Sequence, residues 1–477
     1  MSPPPQLAPG TGLLLADAAA ALAPWLRVLT LQDHNTRVVV LGAALLGVAA
    51  GVVGAFTLLR KRALLGDALS HAMLPGVGFA FIAGHFLLPP GPKSLPLLLA
   101  GAAVSGAVGL AVVVALRRFT RLKEDAALGA VLSVFFGLGV CTLTVVQQLG
   151  SGSAAGLEGF IYGKTASMVP RDVWLIGAVA AGAIAVVALL FKELRLLCFD
   201  PAYGSTLGWP VLGLDLVLMG LLTAVAVVGL QAVGLILVIA LLIVPAAAAR
   251  FWVDRTAPMA ALSGLLGGVS GAVGAAASAV APRLPSGATI VLVAAGVFAF
   301  SMAFGGARGV VPRALRRRRT ARRVGRQHLL RAVYEVLEAG PGGPRGGAAL
   351  EDLLPKRSWS RAALGRLVRR AEAAGRVTAR GGRVRLTHAG VKEAQRVVRD
   401  HRLWETYLIH HADIAPSHVD READAIEHVL DAEMVAELER IVRGGDPGAV
   451  RVPDDPHGAP VGGAFVHAPG RSEQDRR

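Results

Sequence analysis

The sequence predicts an all-α polytopic membrane bundle of about nine spans, followed by a winged helix-turn-helix and a second helical domain on the cytoplasmic side. Three observations predict it. The 477 residues are 53% hydrophobic and only 17% charged, too apolar for a soluble chain of that length. Apolar runs long enough to cross a bilayer recur, with Arg and Lys clustered after every second one. Near residue 306 the apolar, Gly-rich region stops, and the Arg-rich stretch 313–323 opens a tail of mixed charge.

The runs lie near residues 37–59, 66–89, 95–116, 126–148, 171–191, 211–229, 232–250, 257–281 and 286–305. The segment 12–29 is apolar too, but Asp17 and Pro24 interrupt it, which favours a surface helix or a signal-like stretch over a tenth span. Basic loops at Arg60-Lys61-Arg62, at Arg117, Arg118, Arg121 and Lys123, at Lys192 and Arg195, at Arg250 and Arg255, and along 313–326 are assigned to the cytoplasm. An odd number of spans then puts the N-terminus outside and the tail inside. The net charge of +16 is accounted for by these loops and does not require nucleic acid. Small residues crowd the spans, as in 264–274, where helix backbones can approach closely. Cys141 and Cys198 lack CxxC spacing, so neither a disulfide framework nor a thiolate site is expected and both should be inert.

Ionisable residues at membrane depth are costly and point to function. The clearest are Asp67 and His71, four apart and therefore on one helical face. An imidazole with a carboxylate suits a borderline cation, and equally an Asp–His hydrogen bond between helices. Pro75 frees a carbonyl one turn earlier, supplying an oxygen ligand or a hinge. Pro245 kinks the apolar run 231–250. The stretch 199–208 reads as a short amphipathic helix for a cytoplasmic partner. No GxxxxGK[ST] loop occurs, so ATP hydrolysis, if transport is active, comes from another chain, and no nucleophile–base set suggests an enzyme.

These stretches together, RKRALLGDALSHAMLPG (60–76), FDPAYGSTLG (199–208), VGLILVIALLIVPAAAAR (233–250) and SGATIVL (286–292), resemble the permease subunits of ATP-binding-cassette transporters for manganese, zinc and iron over residues 30–306. The resemblance implies import of Mn2+, Fe2+ or Zn2+ as cargo, with no organic cofactor. It implies a bacterial inner-membrane location, a cytoplasmic ATPase subunit, an extracytoplasmic metal-binding protein and a second permease copy or homologue, besides membrane lipid. Asp67 and His71 match the family's paired intramembrane metal contacts. Asp200, Tyr203, Gly204, Leu207 and Gly208 match its ATPase-docking segment.

In the tail, residues 329–338 have helical periodicity, 349–354 and 360–374 read as two more helices, and 376–387 alternates around Gly381-Gly382 as a hairpin wing does. His401 and Glu405 form one i, i+4 pair, while Asp424, Glu427 and His428 share another face. Packed together they offer nitrogen and oxygen ligands for a cation, or a salt-bridged helix pair. LTHAGVKEA (386–394), HRLWE (401–405), EADAIEHVL (422–430) and DPHGAPV (455–461) resemble the diphtheria-toxin-repressor family of metal-dependent regulators over 328–461. The resemblance implies metal ligands at His401, Glu405, Asp424, Glu427 and His428, with a divalent ion as regulator. It departs in the first helix, where His328 and Arg331 stand in place of carboxylates, and Arg331 cannot bind a cation.

The organisation expected is an N-terminal segment (1–36), a permease domain (37–306), a basic linker (307–327), a winged-helix domain (328–390), a helical metal-binding or dimerisation domain (391–461) and a disordered end (462–477). For the tail, metal-sensing regulation ranks first and a structural or dimerisation module second. A tethered DNA binder, using Arg361, Arg366, Arg369 and Arg370 with Arg380, Arg383 and Arg385 of the wing, ranks last. Alternatives for the whole chain are a membrane-tethered metal-dependent transcription regulator and a permease for an iron chelate or cobalamin.

Overall fold

Residues 33–87, 95–149, 165–280, 284–340, 346–357, 359–411 and 432–443 are described by a computed structural model, which divides into two units at Ala314 and Leu315. The N-terminal segment through residue 32, the ligand positions Asp424, Glu427 and His428, the 455–461 motif and the 462–477 end lie outside the described residues.

In the first unit the apolar runs form α1 (His34–Leu59), α2 (Ala63–Leu87), α3 (Leu95–Phe119), α4 (Glu124–Gln148) and α5 (Pro170–Leu189). Two short helices follow, α6 (Phe191–Phe199) and α7 (Pro201–Thr206), and then α8 (Val211–Val233), α9 (Leu235–Ala249), α10 (Thr256–Val280) and α11 (Ser286–Phe304). Eight are long and apolar enough to cross a membrane by length and composition, and α9 is a shorter apolar helix. The run expected at 232–250 is broken at Gly234, whose φ of 85° is open to glycine but strained for other residues, so α8 ends there and α9 restarts. Pro245 lies inside α9, and Pro75 inside α2.

Small residues set how closely the helices approach. A Cβ on Gly47 would lie 2.2 Å from the Gly267 carbonyl oxygen, and one on Gly51 would lie 2.3 Å from that of Ser263. Side chains here would drive α1 and α10 apart. The Ser263 hydroxyl uses the short separation to donate to the Gly51 carbonyl at 2.6 Å, a polar link between buried backbones.

The second unit holds most of α12 (Val310–Ala339), then β1 (Ala348–Ala349), α13 (Leu350–Leu353), α14 (Arg361–Ala373), β2 (Val377–Arg380), β3 (Arg383–Leu386), α15 (His388–His411) and α16 (Ala432–Arg443). The segment expected as a basic linker is helical and continuous with the first helix of the tail. Pro312 sits in its first turn, where a missing N–H costs nothing, and Ala, Leu and Arg favour helix through the following turns. Ser360 caps α14 by accepting from the Ala363 N–H at 3.2 Å. Gly381 and Gly382, at φ 58° and 73°, supply the left-handed pair that a two-residue hairpin needs, so β2 and β3 pair antiparallel as the expected wing. β1 completes a sheet of order β1-β3-β2. Leu329, Leu330, Val333 and Leu337 of α12 pack with Leu364 and Val368 of α14 and with Val377 and Val384 of the wing.

Candidate functional site

Asp67 and His71 lie one turn apart near the start of α2, with His71 Nε2 3.4 Å from Asp67 Oδ1. Their side chains keep 32% and 18% of their surface accessible, so neither is sealed. The His71 ring meets Phe136 of α4 edge-on at 5.0 Å, and its Nδ1 has no hydrogen-bond partner among the described residues. The backbone around the pair is fixed by close contact. Ser105 of α3 donates to the Ala72 carbonyl at 2.6 Å, and a Cβ on Gly76 would lie 2.1 Å from the Gly101 carbonyl oxygen. Pro75 has no N–H to give the His71 carbonyl one turn earlier. Among the described residues no three His, Cys, Asp or Glu side chains gather as a metal cage. Two side-chain donors on a firmly held turn suit brief contact with a passing divalent cation, its remaining ligands being water or carbonyl oxygen, better than permanent retention.

The 199–208 segment takes a defined form. Asp200 caps α7 by accepting from the Tyr203 N–H at 2.9 Å, Gly204 is buried, and Gly208 turns the chain at φ 82°. Phe199, Tyr203, Leu207 and Trp209 remain exposed on the two short helices and the turn that follows them.

A charged cluster that sequence reasoning missed lies beside this segment. Arg60 and Arg62 were read as markers of topology, yet Arg62 is 5% exposed and donates to Asp215 of α8 at 2.5 Å while also pairing with Glu124 of α4. Arg117 of α3 approaches Glu124 at 3.5 Å and Asp215 at 3.9 Å. Arg60 reaches Asp215 at 3.5 Å and donates to the Leu197 carbonyl of α6 at 2.9 Å. Lys61 between them adopts φ 61°, a left-handed conformation that a non-glycine residue holds only where its surroundings require it. Cys198, alongside, has its thiol pushed up to about 11 by burial. The signal was present in Asp215 and Glu124, two carboxylates in or beside apolar runs that also needed partners. On α8, Gln231 donates to Asp172 at the start of α5, at 3.2 Å.

In the second unit His401 and Glu405 of α15 are buried, with 2% and 3% of their side-chain surface accessible, and His401 Nε2 lies 2.9 Å from Glu405 Oε1. The other ring nitrogen, Nδ1, is 2.8 Å from Arg331 Nη1 of α12, and Arg331 Nε donates to Glu335 at 2.6 Å. The structure therefore brings His401 and Glu405 together, as their spacing predicts, and adds Arg331 to them.

The family model of the ABC 3 transport family matches residues 32–305, and that of the iron dependent repressor, metal binding and dimerisation domain matches residues 387–461. The chain is 38% identical over 403 residues, 83% of its length and 88% of the relative's, to the manganese transport system membrane protein MntC of Bacillus subtilis. It is 43% identical over 290 residues to the zinc transport system membrane protein TroC of Treponema pallidum, covering 61% of this chain and 95% of that one. Among solved structures it resembles PsaBC from Streptococcus pneumoniae in complex with Fab, with a TM-score of 0.53 and 30% identity over 62% of this chain and 99% of the other. The chain belongs to the ABC 3 transport family, and is a multi-pass protein of the bacterial inner membrane that carries a repressor-type domain at its C-terminal end.

Proposed function

We propose that this chain is the membrane-spanning subunit of an ATP-driven importer of a divalent transition metal ion, with Asp67 and His71 on the path of the cargo. The observation that carries the reading is the half-open Asp67–His71 pair on a rigidly packed turn of α2. The two nearly full-length relatives named for manganese and zinc transport support a bare-ion cargo. Asp200, Tyr203, Gly204, Leu207 and Gly208 dock a separate ATPase subunit through the exposed Phe199, Tyr203, Leu207 and Trp209 surface. Movement received there reaches the bundle through α6, because Arg60 holds both Leu197 and the Asp215 carboxylate that α3 and α4 share through Arg117, Glu124 and Arg62. Pro75 and Pro245 lie in the two helices whose interrupted hydrogen bonding permits bending. An external metal-binding protein delivers the ion, and a second permease copy or homologue completes the path. The C-terminal domain is a cytoplasmic regulatory attachment, and a metal signal reaching it through His401 would have to displace Arg331.

Cells expressing this chain with its ATPase and binding protein should accumulate one of radioactive manganese, zinc or iron in an ATP-dependent manner, and cells lacking only this chain should not. Accumulation of none of the three, or competition by a metal-free chelator scaffold or cobalamin, would transfer the assignment to a chelate permease.

A further inference from the structure

The C-terminal domain matches a metal-binding family, yet its best-defined pair of expected ligands is engaged by a side chain that is itself a cation. A guanidinium has donors only. Its contact with His401 therefore fixes Nδ1 as the acceptor, so the ring proton sits on Nε2, 2.9 Å from a Glu405 carboxylate oxygen. With Nδ1 accepting from Arg331 and Nε2 carrying the proton, neither ring nitrogen presents a lone pair to a metal ion. Arg331 reaches this position from α12 with only 10% of its side chain accessible, and its Nε is held by Glu335 on the next turn of the same helix. Positive charge is thus already supplied beside His401 by a buried group that cannot be deprotonated. A divalent ion ligated by His401 would have to expel that group, leaving it buried beside a like charge. The residues present do not fit a metal ion at this place.

We propose that Arg331 is a tethered cation that replaces the metal ion at His401 and Glu405. The domain closes α12 onto α15 through the Arg331–His401 contact, with Glu335 and Glu405 as the flanking carboxylates, and its closure does not follow metal concentration. What it transmits to the permease is then set by assembly or by another signal, while the metal chemistry of the chain is confined to the membrane unit. This goes beyond the transport reading and can fail independently of it.

The test is manganese binding to the purified full-length chain in lipid nanodiscs, read from the electron paramagnetic resonance signal of free Mn2+. The parent for this experiment carries Asp67→Ala and His71→Ala, so that the transport pair contributes nothing. The expected result is no site abolished by His401→Ala in that parent, and a new site, at least about tenfold tighter than any residual binding, when Arg331→Glu is added. Stoichiometric binding in the parent that disappears with His401→Ala would overturn the proposal. A folded Arg331→Glu chain that gains no site would overturn it too. If Arg331→Glu does not fold, Arg331→Gln removes the charge while keeping a donor. Hydrogen exchange along residues 388–411 should then rise in that variant and be lowered again by Mn2+, and exchange equal to the parent's would contradict the role of Arg331.

Discussion

Among the described residues two helices each carry a His and a carboxylate four residues apart, in two units that treat the pair differently. In α2 the pair is partly open, its nitrogen-to-oxygen distance is 3.4 Å, and the second ring nitrogen lacks a partner among the described residues. In α15 the pair is almost fully buried, the distance is 2.9 Å, and the second ring nitrogen is held by Arg331. Spacing on a helix brings two side chains to one face, but the neighbour that meets the remaining nitrogen decides the chemistry. Phe136 offers His71 a ring and no hydrogen bond, and the lone pair of the buried Nδ1 stays without a hydrogen bond among the described residues. Arg331 offers His401 a donor, which consumes that lone pair.

The largest test of this contrast is to give the membrane pair the tail's neighbour. Phe136→Arg should lower metal uptake at least about tenfold, measured as initial rate per assembled complex. Uptake equal to the parent's would mean that the neighbour of the His71 ring does not decide its use. The energetic difference between the pairs is smaller but direct. His401→Ala leaves Arg331 and Glu405 buried without the ring between them and should destabilise the second unit by about 3 kcal/mol, read by hydrogen exchange in the full chain. His71→Ala removes a half-open contact and should cost less than about 1 kcal/mol. Equal costs would erase the distinction between a structural and an available pair. The smallest effect concerns Cys198 at the edge of the charged cluster. With its thiol pushed up to about 11, the reactive thiolate is scarce at neutral pH, so maleimide labelling should stay slow there and accelerate only as pH rises toward that value. If unfolding raises the labelling rate at pH 8, the elevated value belongs to the fold; if it does not, burial is not the cause.

The spans, the wing and the short helix within 199–208 were legible in the sequence because each rests on a local pattern. Apolar length sets α1 to α5 and α8, α10 and α11, Gly381-Gly382 sets the turn between β2 and β3, and Asp200-Pro201 sets the start of α7. Gly234 was visible but read through, because a continuous apolar run hides a backbone break that only its positive φ reveals. The helical state of 310–327 was obscured by its charge, which suggested a solvated linker although Arg and Ala are good helix formers. Asp67 and His71 were found as polar residues in an apolar setting. Asp215 and Glu124 were passed over because their partners, Arg60, Arg62 and Arg117, are up to about 150 residues away in sequence and had already been assigned to topology. The Arg331 contact was foreshadowed only as a residue unable to bind metal. That it would fill the place beside His401 required α12 and α15 to be packed together.

The most direct measurement is uptake of the preferred metal by the complete transporter reconstituted in proteoliposomes, comparing the parent chain with Asp67→Ala and His71→Ala after confirming equal assembly with the ATPase. Uptake falling to background in both variants, with ATPase assembly unchanged, is the predicted result. Uptake at the parent's rate in either variant would remove the pair from the path and contradict the account.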